Sequence, residues 1–292
     1  MLPRISLFLF CLFILPQTGF AKQWLVDTDW LAKKLNSDKI AIVDMSDSMQ
    51  YTRFHIPGAR YLPYNAITQS TKKGVSLSVG SQQVMKVLGQ LGLKPEMHIV
   101  IYDDIGGLNA SRLFWELERI GHQQVSLLNG GLVKWILEGK KVVATHARFP
   151  KTVYQSGTAK GYNNLARLDD VTSRNEKTVL LDVRSKDEYT GHPRQKRTGH
   201  IAGARWWHWE DNVNFENAFK IQSTESLNQR AESLGLTTKQ QDVIVYCRSG
   251  HRAAHSYFTL RSLGYRNVRL YDGSMAEYSL ARSGSIKKGP QP

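Results

Sequence analysis

The stretch Asp242-Val243-Ile244-Val245-Tyr246-Cys247-Arg248-Ser249-Gly250-His251-Arg252 decides how the rest of the chain is read. It opens with a β-branched apolar run of strand length, and a helical pattern follows at Ala253-Ala254-His255-Ser256-Tyr257-Phe258. Between them lies a basic loop with one glycine and one thiol. A strand feeding a helix this way puts the loop at the carboxyl end of a sheet, where open α/β folds hold ligands. Helix N-terminal N–H groups and nearby guanidinium charges favour a thiolate over a thiol, and the thiolate is the nucleophile. Cys247 is therefore the candidate nucleophile.

Outward from this stretch, the chain repeats itself. Ile99-Val100-Ile101-Tyr102 corresponds to Val243-Ile244-Val245-Tyr246, and Leu91-Gly92-Leu93 to Leu234-Gly235-Leu236. The pattern Ser111 to Gly121 matches Ala254 to Gly264, and Leu127-Leu128-Asn129-Gly130 matches Leu270-Tyr271-Asp272-Gly273. Upstream, Ile42-Val43-Asp44 matches Leu180-Leu181-Asp182, and His55-Ile56-Pro57-Gly58-Ala59 matches His200-Ile201-Ala202-Gly203-Ala204. In the second half, Thr178–Val183, Val243–Tyr246 and Val268–Tyr271 read as buried strands. Ser223–Leu234, Ala253–Leu263 and Ser274–Leu280 read as helices. Such alternation predicts an α/β fold made of two like domains, each a mainly parallel sheet with helices on both faces. The domains fall at 22–140 and 165–286, with a linker over 141–164 and a tail over 287–292.

The first-half counterpart of the thiol loop is Asp103-Asp104-Ile105-Gly106-Gly107-Leu108-Asn109. Asp103 stands where Cys247 stands. It cannot carry sulfur, and two carboxylates repel anions, so the first domain is expected to be inactive. A metal-binding role for the pair lacks clustered partners in the sequence.

Residues 1–21 read as a secretory leader. Met1 to Arg4 supplies one positive charge, Ile5 to Leu15 is too short an apolar run to span a bilayer, and Gly19-Phe20-Ala21 resembles a cleavage site before Lys22. Leu9-Phe10 before Cys11 is too bulky for a lipoprotein signal. The expected location is the periplasm or outside the cell, with no membrane contact after cleavage; the alternative is an uncleaved anchor. Cleavage removes Cys11, one of the 2 cysteines, so the mature chain forms no internal disulfide. A lone thiol in an oxidising compartment is a hazard unless it is buried or used. Burial as a small hydrophobe is the bland alternative, and the polar, basic loop argues against it.

Lys plus Arg is 39 and Asp plus Glu 25, a formal charge of +14. That excess suits anionic partners. No Lys/Arg run exceeds two residues and no nucleic-acid module is visible, so small anionic substrates are favoured over nucleic acid.

These features together resemble the tandem rhodaneses, over nearly the whole mature chain. The carriers are the duplicated strand ends Asp44-Met45-Ser46 and Asp182-Val183-Arg184, the duplicated His-Ile-x-Gly-Ala, and the loop Cys247 to Arg252. The resemblance implies a sulfurtransferase that uses thiosulfate or 3-mercaptopyruvate through a cysteine persulfide and hands sulfur to cyanide or a thiol, without metal or organic cofactor. Thiosulfate enzymes of the family tend to show Cys-Arg-Lys-Gly and mercaptopyruvate enzymes Cys-Gly-Ser-Gly; Cys247-Arg248-Ser249-Gly250 shares one diagnostic position with each. His251-Arg252 replaces the usual Val-Thr and looks more like single-domain bacterial members. The added arginines favour a dianionic donor such as thiosulfate.

Candidate substrate binders are Arg184, which matches the family's substrate-binding arginine, and Arg248, Ser249, Gly250, His251 and Arg252 of the loop. For Arg184 the competing reading is an ion pair within its domain; for Arg248 and Arg252 it is charged surface cover. Arg194 and Arg197 precede Gly199-His200 and could reach the same pocket. His55 matches a first-domain histidine that the mercaptopyruvate branch uses across the interface, yet its repetition as His200 suggests a structural turn. Trp206-Trp207-His208-Trp209 alternates along an extended segment and reads as core and interface packing. A fused pair can enclose its site without another subunit, so a monomer is expected.

Two rivals remain. Cysteine-dependent phosphatases share this fold but need Cys-x5-Arg; Cys247 to Arg252 is Cys-x4-Arg, a smaller ring that suits one sulfur atom better than a phosphate. A persulfide carrier would load once and pass its sulfur to a protein partner. Redox or arsenate chemistry usually needs a resolving cysteine, which the mature chain lacks.

Overall fold

Val243, Val245 and Cys247 face one side of their strand, Ile244 and Tyr246 the other, and both sides are buried. A strand dry on both faces shows no polar alternation, hence its continuous apolar run. In the computed structural model, which describes residues 24–155, 161–281 and 284–292, this strand (Asp242–Tyr246) is central in a five-stranded parallel sheet. The order is Arg205–Trp206, Val179–Asp182, Asp242–Tyr246, Asn267–Tyr271, Leu165–Ala166. The first half builds the same sheet from Ala59–Tyr61, Ile40–Asp44, His98–Tyr102, Val125–Leu128 and Leu25–Val26, again parallel throughout. The repeat read in the sequence is thus a repeat of topology, strand for strand.

Each sheet is covered on both faces. The inner faces share one core: Val43, Ile101, Leu113 and Phe114 join Val243, Val245, Cys247, Phe258 and Leu270. Helices Ala110–Arg119 and His251–Ser262 meet there, with Phe114 edge-on to Phe258 at 4.9 Å. Glu118 crosses the same seam, accepting from Tyr257 (2.7 Å) and from both Nε and Nη2 of Arg261 (3.2 and 3.0 Å). Leu31, Leu132 and Trp135 close the outer face of the first sheet, and Val171, Met275 and Tyr278 that of the second.

The leader expected over 1–21, with Cys11, lies outside the described residues, as do 156–160 of the expected linker. The described linker residues before that gap lie on the first domain: the Thr152 N–H donates to Gly89 (2.8 Å), and Phe149 packs under the Arg60 guanidinium. The tryptophan segment divides by parity. Trp207 and Trp209 are buried in the shared core, and Trp206 lies half-buried beneath Lys186. The helix after the thiol starts at His251 rather than at Ala253. Gly250, at φ +79°, makes the left-handed turn that lets the helix begin early.

Candidate active site

Cys247 follows the central strand directly and is 1% exposed. Its loop is pinned from the next strand–helix turn. Ser274 Oγ accepts from the N–H groups of Cys247 and Gly250, both at 3.1 Å, and donates to the Tyr271 carbonyl (2.7 Å). Ser274 holds a positive φ of 50°, a strained setting for a residue with a Cβ. These three bonds fix it there. The Met275 and Ala276 N–H groups then bind the carbonyls of Cys247 and Arg248 (3.1 and 3.0 Å), so the loop's carbonyls point away from its interior.

The silent loop displays what such an interior holds. The Asp103 carboxylate accepts from the N–H groups of Ile105, Gly107, Asn109 and Ala110 at 2.7 to 3.0 Å. An anion is thus seated among backbone donors at the position equivalent to the thiol, a nest of the kind that binds anions elsewhere. Burial raises the Asp103 pKa, and those donors oppose the rise.

The loop's cations differ in their engagements. Arg252 makes two parallel bonds to Glu188, at 2.6 and 3.0 Å. Burial alone would lower its pKa, but the Glu188 pair, with Cys247 nearby, raises it. Arg248 is exposed, and its guanidinium makes no hydrogen bond or ion pair among the described residues. It lines a pocket of about 590 Å³ together with Arg184, Arg197, Asp187 and Glu188, whereas Cys247 and residues 249–252 do not line it. Arg184 is not a free clamp. Its guanidinium binds Asp182 (2.9 and 2.5 Å) and the Gly199 carbonyl (2.7 Å), so it enters that pocket as a neutralised pair. Arg197 reaches the same pocket while donating to the carbonyls of Ser279 and Tyr278. Arg194 is exposed and does not line it. Ser249 is half-buried within the loop.

The first domain completes the site. His251 Nε2 lies 2.7 Å from Asn109 Oδ1, while Asn109 Nδ2 donates to the Met45 carbonyl. With Asn109 oriented this way, His251 must carry its proton on Nε2. Burial, with Arg112, Arg252 and His255 adding to it, pushes the His251 imidazole down to about 4, so it is neutral at pH 7. Tyr64 packs on this ring at 4.3 Å. Its phenol is raised above its ordinary pKa, first by burial, with Cys247 and Asp272 contributing and Arg112 opposing.

His55 is not brought here. It stacks on Tyr51 of its own domain at 4.0 Å, with linker residues His146 at its edge and Val143 paired to its backbone. His200 repeats the stack on Tyr189 at 3.9 Å, so both histidines serve the same structural turn. Sequence reading missed Tyr64, Asn109, Arg112, Glu188, Asp272 and Ser274. One signal was available: Ser185-x-x-Glu188 forms a capping box that places Glu188 beside the loop.

A cysteine loop at the carboxyl end of one of two matching parallel sheets is what the geometry defines. The rhodanese-like domain model matches the chain twice, over residues 27–138 and 165–281, and the chain belongs to that family. It is similar to the sulfur carrier protein TtuD of Thermus thermophilus, 32% identical over 282 residues, covering 91% of this chain and 97% of the relative. A Mycobacterium tuberculosis protein named for thiosulfate sulfurtransferase activity is 33% identical over 278 residues, covering 91% and 98%. Among solved structures, SseA from Escherichia coli, a 3-mercaptopyruvate sulfotransferase, has a TM-score of 0.76 at 25% identity, covering 86% of this chain and 98% of that one. YnjE shares the fold with a TM-score of 0.80 at 23% identity, covering 91% and 68%.

Proposed function

We propose that the protein is a sulfurtransferase that takes a sulfane sulfur from a small anionic donor, thiosulfate before 3-mercaptopyruvate, and passes it to cyanide or a thiol. The observation that carries this reading is the seat of Asp103: a carboxylate held by backbone N–H donors where the second domain has Cys247. A persulfide anion on Cys247 has the same need for donors. In the first step the Cys247 thiolate attacks the outer sulfur of thiosulfate. A new S–S bond forms, the donor S–S bond breaks, and sulfite leaves with the electron pair. With 3-mercaptopyruvate a C–S bond breaks instead, and the departing enolate takes up a proton to become pyruvate. In the second step the acceptor attacks the outer sulfur and the Cys247 thiolate returns. Arg248, exposed and without an ion pair among the described residues, favours the more highly charged donor. The leader-like residues 1–21 support a periplasmic or secreted site of action. The shared core between the fused domains supports a monomer.

The test is a parallel assay of thiosulfate and 3-mercaptopyruvate with cyanide as acceptor. The expected result is a higher kcat/KM for thiosulfate; undiminished transfer by Cys247→Ser overturns the reading. The second reading, a carrier role, is supported by the similarity to TtuD. A carrier would load one sulfur and stall with small acceptors, which the same assay reads.

A further inference from the structure

Because the fold is duplicated, a residue of one domain that faces the other's loop has an equivalent residue facing the opposite way. Arg112 and His255 are equivalent residues of the two helices at the seam, and Asp272 and Asn129 are equivalent residues after the next strand. On the silent side the contacts are neutral. The His255 ring meets the Gly106 carbonyl at 3.1 Å, and Asn129 Oδ1 accepts from the Ile221 N–H at 2.9 Å. Burial pushes His255 down to about 4, so it carries no charge near neutrality.

On the catalytic side the same positions hold a buried ion pair. Arg112, 0% exposed, donates to Asp272 at 2.6 and 3.2 Å. The Ser78 N–H, counterpart of the Ile221 N–H, donates to Asp272 Oδ2 at 2.7 Å. Glu116 lies 3.5 Å from Arg112 and 3.6 Å from Arg119. The pair presses directly on the loop: a Cβ on Gly250 would stand 2.5 Å from Asp272 Oδ1 and 2.9 Å from Arg112 Nη1. The equivalent Gly107 has more room, with its nearest neighbour at 3.3 Å and the His255 ring at 3.8 Å.

A buried ion pair is seldom a net gain in stability over a neutral replacement. Here the neutral arrangement already exists in the same molecule and closes the same seam, so stability alone does not account for the charge. We propose that Arg112, supplied by the domain without the cysteine, is a positioning residue for the Cys247 loop. Through Asp272 it fixes Gly250 and the turn that carries Ser274, and these hold the N–H groups of Cys247 and Gly250. The inference rests on Cys247 as the sulfur-bearing residue, but its test does not depend on turnover.

The test copies the silent side onto the catalytic side with the triple variant Arg112→His/Glu116→Thr/Asp272→Asn, since Thr259 is the silent counterpart of Glu116, beside each single change and Arg112→Lys. Persulfide is loaded chemically with sodium polysulfide and its half-life followed by mass spectrometry; amide exchange is followed over residues 248–253, and urea midpoints are measured in parallel. The single changes leave a buried partner unpaired and lower the midpoint. The triple variant is expected to keep the midpoint while losing persulfide and exchanging loop amides about tenfold faster. Arg112→Lys, which keeps the charge but not the two-pronged geometry, is expected to fall between. A stable triple variant, or a folded Arg112→Lys, with wild-type loop exchange and persulfide lifetime overturns the proposal. Normal effects here with no turnover on any donor would instead count against the sulfurtransferase reading.

Discussion

Asp103 and Cys247 end equivalent strands of two matching sheets, and only the first already holds its negative charge among backbone N–H donors. The silent domain thus carries a permanent picture of a loaded loop. The reactive domain needs a sulfur atom to complete the same arrangement.

Cys247→Ser is expected to abolish transfer with both donors while leaving the fold intact, because the residue is small and its backbone bonds to Ser274 do not involve the side chain. Intact-mass measurement after thiosulfate treatment should show a gain of about 32 Da in the wild type, one sulfur on the cysteine, and none in the variant. Activity without that adduct would indicate direct transfer.

Arg248→Ala should raise KM for thiosulfate about tenfold with little change in kcat, since a rim cation binds the ion before reaction and after it alike. The wild-type advantage should shrink as ionic strength rises, because exposed charges are screened within about 10 Å at 0.1 M salt. Steady-state kinetics across a salt series reads both effects.

Two buried groups should give the stability profile opposing slopes on the acid side. Burial raises Asp44 from 3.8 to about 6, against the hydroxyl of Tyr102 and the N–H of Ser46. Between those values the unfolded chain has lost the proton and the fold has kept it, so this contribution falls as pH rises. His255 goes from 6.5 to about 4 on folding. Below 6.5 the unfolded chain takes up the proton and the fold does not, so its contribution is lost as pH falls. Asp44→Asn should therefore steepen the acid loss of stability and His255→Gln should flatten it, measured as urea midpoints across this window.

Glu118→Ala leaves Arg261 buried without its carboxylate and removes the acceptor of the Tyr257 hydroxyl proton. A cost of about 3 kcal/mol or more is expected. The wild type should unfold in one transition by fluorescence and by circular dichroism, because the two inner sheet faces share a core. Two separated wild-type transitions would mean that the seam is weaker than its packing suggests.

The architecture was legible in the sequence because it is written twice. Short apolar runs such as Ile99–Tyr102 and Val243–Tyr246 could have been strands or buried helix turns, and their repetition in the same order removed the ambiguity. Cys247 was legible because strand, glycine-bearing loop and helix are adjacent in the chain. The engagement of Arg184 was not. A guanidinium two residues from Asp182 can turn back onto it or out into the pocket, and side-chain rotation leaves no periodic trace. Tyr64, Asn109 and Arg112 were hidden for a different reason. They belong to the domain without the cysteine, and local patterning says nothing about which residues of one sheet's helices will lie under the other sheet's loop. His55 illustrates the converse: its match to a family site was visible, and the stacked ring of Tyr51 gives it a structural occupation instead.

The unlike crossings, Arg112 on Asp272 one way and His255 on the Gly106 carbonyl the other, have a genetic consequence. In a dimer of identical chains, one codon would write both crossings, and any charge favouring one loop would be imposed on the other. Joining the halves into one reading frame gives each crossing its own codon. One half could then specialise as scaffolding for its neighbour, and a domain without a nucleophile can still contribute to the chemistry of the pair.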